Sequence, residues 1–388
     1  MLKMEPLKNK ASILTTMAHN VMLLLLVIIF VALSGCATMK EESKAAGPSQ
    51  VRLLTACVNN DKCGYITPKG EVIIKPQFDS ASDFNEGLAA VRINEGDKWG
   101  YIDKEGKFVI NPQFDDVDGF KEGLASVKIG DEWGYIDKTG KIVIDLQFGG
   151  AGGCFSEGVA SVNVESQWGY IDKAGKIVID PQFDDARAFN EGMAAVCIEG
   201  KWGYIDKAGK YVINPQFDQL WLWSEGLQPV KIGTKWGYIG KAGKIVINPQ
   251  FDSISIFSEG LAAVKIGAKR GYIDKAGKYV INPQFDNTFD FSEGLASVKI
   301  GDKWGYIDKA GKYVINPQFD GAICFHEGLA SVKIEGKWGY IDKAGKIVIN
   351  PQFDEGGGDF SEGVAQVKIG NMIGYIDTRG KYIWDPRK

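Results

Sequence analysis

Histidine is nearly missing from this 388-residue chain, which has His19 and His326. One histidine downstream of residue 35 cannot furnish a serine or cysteine triad plus a metal site, and neither HExxH nor GxSxG occurs. An excess of basic charge is missing too. The formal charge is −4, and removing residues 1–35, which carry Lys3, Lys8 and Lys10 against Glu5 (net +2), leaves −6. No electropositive field exists to hold nucleic acid. The apolar run Val21 to Leu33 has thirteen residues, short of the roughly 20 that span a bilayer. At 45% hydrophobic and 24% charged residues, bulk disorder and a polytopic membrane protein are excluded. What the chain has in excess is glycine. It accounts for 49 residues, nearly twice the usual share of roughly 7%.

The run Val21 to Leu33 follows three lysines and leads straight into Leu33-Ser34-Gly35-Cys36. A charged head, a short apolar core and a small-residue exit predict a cleaved secretory signal over residues 1–35. The exit resembles the lipobox of bacterial lipoproteins, which implies lipidation of Cys36. Ala37, where an Asp would imply retention at the inner membrane, implies the outer membrane. Residues 36–50 are small and polar without apolar periodicity, and are expected to form a flexible tether. Of the remaining cysteines, Cys57 and Cys63 flank one predicted hairpin and could bridge in an oxidising compartment. Cys154, Cys197 and Cys324 read as small buried hydrophobes.

Gly-Tyr-Ile or a close variant recurs with its glycine at 64, 100, 134, 169, 203, 237, 271, 305, 339 and 374. A period of about 34 residues marks stacked supersecondary units. In the unit beginning at Phe257, Leu261 to Ile266 alternates in the manner of a half-buried strand, here strand one. Gly-Tyr-Ile-Asp forms strand two, and Lys-Tyr-Val-Ile-Asn forms strand three, rich in β-branched and aromatic residues. Asp274-Lys-Ala-Gly277 suits a tight turn between strands two and three. Three antiparallel passes would reverse the chain from copy to copy, so a fourth, short strand is expected after Pro-Gln-Phe-Asp.

Trp-Gly-Tyr-Ile-Asp with its Glu-Gly and Pro-Gln-Phe-Asp companions resembles the WG-repeat, or KWG-repeat, family over residues 51–388. Trp-Gly stands at 99, 133, 168, 202, 236, 304 and 338, while Cys63, Arg270 and Ile373 take the tryptophan slot elsewhere. The resemblance implies bacterial repeat proteins that bind partners, and it implies no catalytic residue.

Glu-Gly recurs once per unit, with Glu86, Glu122, Glu157, Glu191, Glu225, Glu259, Glu293, Glu327 and Glu362. If the units formed one continuous sheet, neighbouring carboxylates would lie roughly 19 Å apart. That is too far for a glycosidase pair, which needs about 5 to 9.5 Å. A turn role for Glu, and for the Asp of Asp-Lys-Ala-Gly, is the expectation. One carboxylate per turn predicts no calcium site, and no metal or cofactor is expected. The segment after Pro-Gln-Phe-Asp varies most between units, and equivalent positions of an array line up into one surface. The candidate ligand-binding residues are therefore Asp83, Asp116, Asp118, Arg187, Trp221, Trp223, Phe289 and Asp290, with Trp221 the sharpest.

The expected architecture is an all-β array of about ten antiparallel units. An open, curved, solenoid-like form is favoured over a closed propeller-like ring, because ten exceeds the usual four to eight blades and the chain ends show no exchanged strand. The expected function is an envelope-anchored lipoprotein acting as a non-catalytic binding scaffold for an envelope protein or glycan. A structural spacer or adhesin, or a glycan-acting enzyme, are the alternatives.

Overall fold

The computed structural model describes residues 52–388 apart from 59–61, 95, 152, 356, 371, 386 and 388. The expected signal, Cys36 and the tether lie outside the described residues. Ten small antiparallel sheets follow one another along the chain. The seventh shows the plan, with a short strand Ser253–Ile254, then Leu261–Ile266, Lys269–Asp274 and Tyr279–Phe285, hydrogen-bonded in that order. The first sheet, Leu54–Val58, Lys62–Ile66 and Val72–Phe78, has three strands. The last has Val364–Ile369, Met372–Asp377 and Tyr382–Trp384, with a single bridge from Glu355 to Lys368 standing for its short strand.

Local chemistry sets each sheet. Asp274 Oδ1 accepts the amides of Ala276 and Lys278 at 3.0 and 2.9 Å, while Gly277 supplies the positive φ of +80° that closes the turn. Trp236 faces Phe251 and Tyr238 faces Ile247, so strand three bulges between the two pairs. The glycine between Trp and Tyr meets that bulge. A Cβ on Gly237 would stand 2.4 Å from the Ile247 carbonyl oxygen, which is why Trp is followed by Gly.

Sheets pack face to face. Leu261, Ala263, Tyr272, Ile281 and Phe285 of the seventh form one core with Phe291, Ala296, Val298 and Ile307 of the eighth. Each buried aromatic or aliphatic side chain contributes on the order of 1.5–3 kcal/mol. Strand three is the edge of each sheet at the perimeter, where neighbouring sheets diverge. Both Ile142 and Val143, side chains of opposite faces, are therefore exposed there. The short strands form the other edge, toward the axis.

The favoured open array is wrong, because the tenth sheet packs on the first. Tyr375 Oη donates to the Thr55 carbonyl at 2.5 Å, Arg52 lies 3.7 Å from Glu362, and Gly70 sits against Ile383. The chain is a ten-bladed β-propeller. The expectation failed because it sought closure in an exchanged strand, whereas closure here is made by side chains and by packing of the last sheet on the first. The single continuous sheet assumed for the Glu column is equally absent, since there are ten separate sheets. Among the described residues no helix is long and apolar enough to cross a membrane.

Candidate functional site

Most repeated polar side chains are consumed between sheets. Each Glu of Glu-Gly adopts a positive φ, +53° at Glu259. Its carboxylate accepts the Gly294 amide of the next sheet at 3.0 Å and pairs with Lys309 at 3.1 Å. Glu86, Glu122, Glu157, Glu225, Glu293 and Glu327 accept the next Gly amide in the same way. The turn role expected for Glu is therefore half of its work, and the clamp to the next sheet is the rest. At Glu293 burial pushes the carboxyl up, but Lys343 and the Gly328 amide outweigh it and hold it below its ordinary range. A second column joins Lys201 to Asp218, Lys269 to Asp286 and Lys303 to Asp320 at 2.5–2.6 Å. In the third sheet both members change, to Glu132 and Gly149, so a like-charge contact is avoided. The repeated tyrosines other than Tyr204, whose hydroxyl accepts from the Gln228 amide, donate across their junctions, as Tyr238 does to the Ser255 carbonyl at 2.7 Å.

These columns were missed in the sequence, although fixed spacings of 17 and 50 residues between Lys and acid were there to read. The Cys57–Cys63 bridge, left open above, is formed.

The candidate ligand residues fall into separate columns of the short-strand segment. Asp118, Arg187, Trp221 and Phe289 share one. Three of them cover the tryptophan of their own sheet: the Arg187 guanidinium lies 4.6 Å from the Trp202 ring centre, Trp221 packs on Trp236 at 5.3 Å, and Phe289 packs on Trp304 at 5.4 Å. Asp118 instead accepts from the Ser126 hydroxyl at 2.5 Å. Trp223 belongs to a different column. It replaces the phenylalanine that packs on the preceding sheet's tyrosine, 6.1 Å from Tyr204, and so reads as core. Asp116 is exposed and caps the Val117 amide. Asp83 approaches Thr55 Oγ1 at 3.4 Å.

Asp290 stands one residue beyond Phe289, in the column that also holds Leu222, which is 61% exposed and the most exposed of the large hydrophobic residues described. Burial pushes the Asp290 carboxyl up to about 6, against the pull of a hydrogen bond from Ser255 and of the Arg270 charge. Arg270, in a tryptophan slot, is itself desolvated and pushed down. The Arg270 replacement is thus matched by an acid on the neighbouring sheet. Similarly, His326 lies 3.3 Å from Asp359, whose carboxyl burial raises to about 6 against the pull of His326.

The arrangement offers stacking faces, one exposed leucine and scattered charges toward the axis. Among the described residues no group of three or more His, Cys, Asp or Glu side chains could hold a metal.

No curated protein matches the chain. A crystal structure of a eukaryotic initiation factor is similar in fold at 12% identity and a TM-score of 0.50, over 80% of this chain and 97% of its own. Two weaker likenesses are PorZ of Porphyromonas gingivalis, at 12% identity, TM-score 0.30 and coverage of 86% and 57%, and Hsv2 of Kluyveromyces lactis, at 9% identity, TM-score 0.34 and coverage of 57% and 90%. The family model described as "WG containing repeat" matches nine successive segments, 64–96, 99–133, 133–167, 168–202, 202–236, 236–269, 271–304, 304–338 and 338–372. These nine segments span most of the chain, and the chain belongs to the WG-repeat family.

Proposed function

We propose that the chain is a non-catalytic binding and scaffold module, held at the bacterial cell envelope, at the outer membrane, by lipid on Cys36 after removal of residues 1–35. An envelope protein or glycan docks on the variable short-strand positions. The reading calls on no metal, cofactor or nucleic acid. The observation that carries it is the division of labour between positions: consensus polar groups are spent on inter-sheet contacts, while Arg187, Trp221 and Phe289 differ from unit to unit, Arg187 exposed and the two rings half-buried, with Leu222 exposed next to Trp221. Aromatic faces with one polar edge suit both sugar and peptide contact. Replacing Trp221 and Phe289 by Ala is expected to abolish capture of the native envelope ligand while thermal stability stays within a few degrees. Unchanged capture contradicts the site. Labelling of cells with a fatty-acid analogue should tag the wild type and not Cys36→Ala.

The continuous run of clamps around the ring favours a second reading, a structural spacer or adhesin. Such a protein tolerates the double substitution and loses function when a whole 34-residue unit is deleted.

A further inference from the structure

Nine junctions of the ring share one seat. In each, a tyrosine of one sheet receives an aromatic ring from the segment that leads into the next, at 4.8–4.9 Å for Tyr65 with Phe84, Tyr101 with Phe120, Tyr238 with Phe257 and Tyr272 with Phe291. That same segment pairs with strand one of its own sheet. Asp252 donates to the Lys265 carbonyl and Ser255 to the Ala263 carbonyl, both at 2.9 Å, and the Ala263 amide donates to Ser255 Oγ at 2.9 Å.

The tenth junction differs. Tyr375 has no aromatic ring against it among the described residues, and it is half-buried where Tyr65, Tyr101, Tyr238 and Tyr272 are fully buried. The first sheet has no short strand among the described residues. By the shared register, Thr55 stands where Ala263 does and Cys57 where Lys265 does. Their backbone groups thus point to an edge toward the axis, which the Tyr375 hydroxyl partly covers at the Thr55 carbonyl. Residues 37–63 contain no Phe, Tyr or Trp to fill the seat.

We propose that this seat takes an extended segment of a partner protein, which pairs with the Thr55–Cys57 edge as a fourth strand and lays an aromatic side chain on Tyr375. An open strand edge is a template for main-chain pairing, and a side-chain pocket beside it supplies specificity. The other junctions show the required ligand, a short strand whose aromatic residue follows about five residues after its first paired amide. The seat is separate from the Arg187, Trp221 and Phe289 column, so the two sites stand or fall independently.

The test uses the full chain and a synthetic peptide copying residues 252–258, Asp-Ser-Ile-Ser-Ile-Phe-Ser. Saturable binding at sub-millimolar concentration is expected, and the peptide carrying Phe257→Ala should bind at least about tenfold more weakly. Saturation should slow hydrogen exchange at the Thr55 and Cys57 amides. Tyr375→Ala should weaken binding, whereas Tyr306→Ala, whose seat is already filled by Phe325, should not. No binding, equal binding of both peptides, or Thr55 and Cys57 amides already protected in the free chain would each overturn the proposal.

Discussion

Tyr375 donates its hydroxyl to the carbonyl of Thr55 at 2.5 Å across 320 residues of chain. The same tyrosine elsewhere reaches a carbonyl 17 residues ahead, as Tyr272 reaches Phe289 at 2.7 Å. Closure of the ring therefore reuses a tyrosine-to-carbonyl bond like those of other junctions, but on a first sheet with no short strand among the described residues.

Because that seam has fewer partners, it should open first. Tyr375→Phe is expected to cost about 1 kcal/mol and to speed hydrogen exchange in the first and tenth sheets while leaving the fifth and sixth unchanged. Uniform acceleration around the ring would show that the seam is not its weak point.

The glycine after tryptophan makes a sharper prediction. A Cβ on Gly305 would stand 2.5 Å from the Ile315 carbonyl oxygen, whereas one on Gly301 at φ +58° meets nothing within 4 Å. Gly305→Ala should destabilise by about 3 kcal/mol or more, by strain against backbone that cannot yield. Gly301→Ala should cost about 1–2 kcal/mol, the left-handed penalty alone. Denaturant titration of the two variants decides, and equal losses would contradict the close approach.

The strands, the Asp turn and the need for a short fourth strand were legible in the sequence, because each is fixed by neighbours a few residues apart. Leu261 to Ile266 alternates, and Asp274 caps amides two and four residues on. Closure was not legible, since Thr55 and Tyr375 carry no local mark of each other. Nor was the second use of Glu259, whose partners Gly294 and Lys309 lie 35 and 50 residues downstream, both in the next unit. Of the candidate site, Arg187, Trp221 and Phe289 share one short-strand column, while Trp223 takes the place of the phenylalanine of its unit and packs near Tyr204. Gln228 accompanies that replacement, donating to the Tyr204 hydroxyl and, at 2.7 Å, to the Trp221 carbonyl.

Two acids should respond to pH with opposite sign. Asp290 has its carboxyl raised to about 6 in the fold, so the folded state holds a proton that the unfolded chain, near 4, gives up. Stability from this group is present below pH 4 and lost as pH rises through 6. Asp290→Asn should therefore raise the melting temperature at pH 7–8 and flatten the change between pH 4 and 6. Glu293 is held low, so its contribution is present at neutral pH and lost on acidification below the ordinary carboxylate range.

Glu293→Gln should accordingly cost no more than about 1 kcal/mol at pH 7, because its pairing with Lys343 is partly exposed, and almost nothing at pH 3. Melting curves at the two pH values check it. A loss undiminished at pH 3 would mean that the charge is not what holds the clamp.

The closed ring is the claim on which the rest depends, and electron microscopy of the purified chain tests it most directly. Class averages should show a continuous ring of ten lobes around a central axis. Arcs with separated ends, or a ring of any other number of lobes, would contradict it.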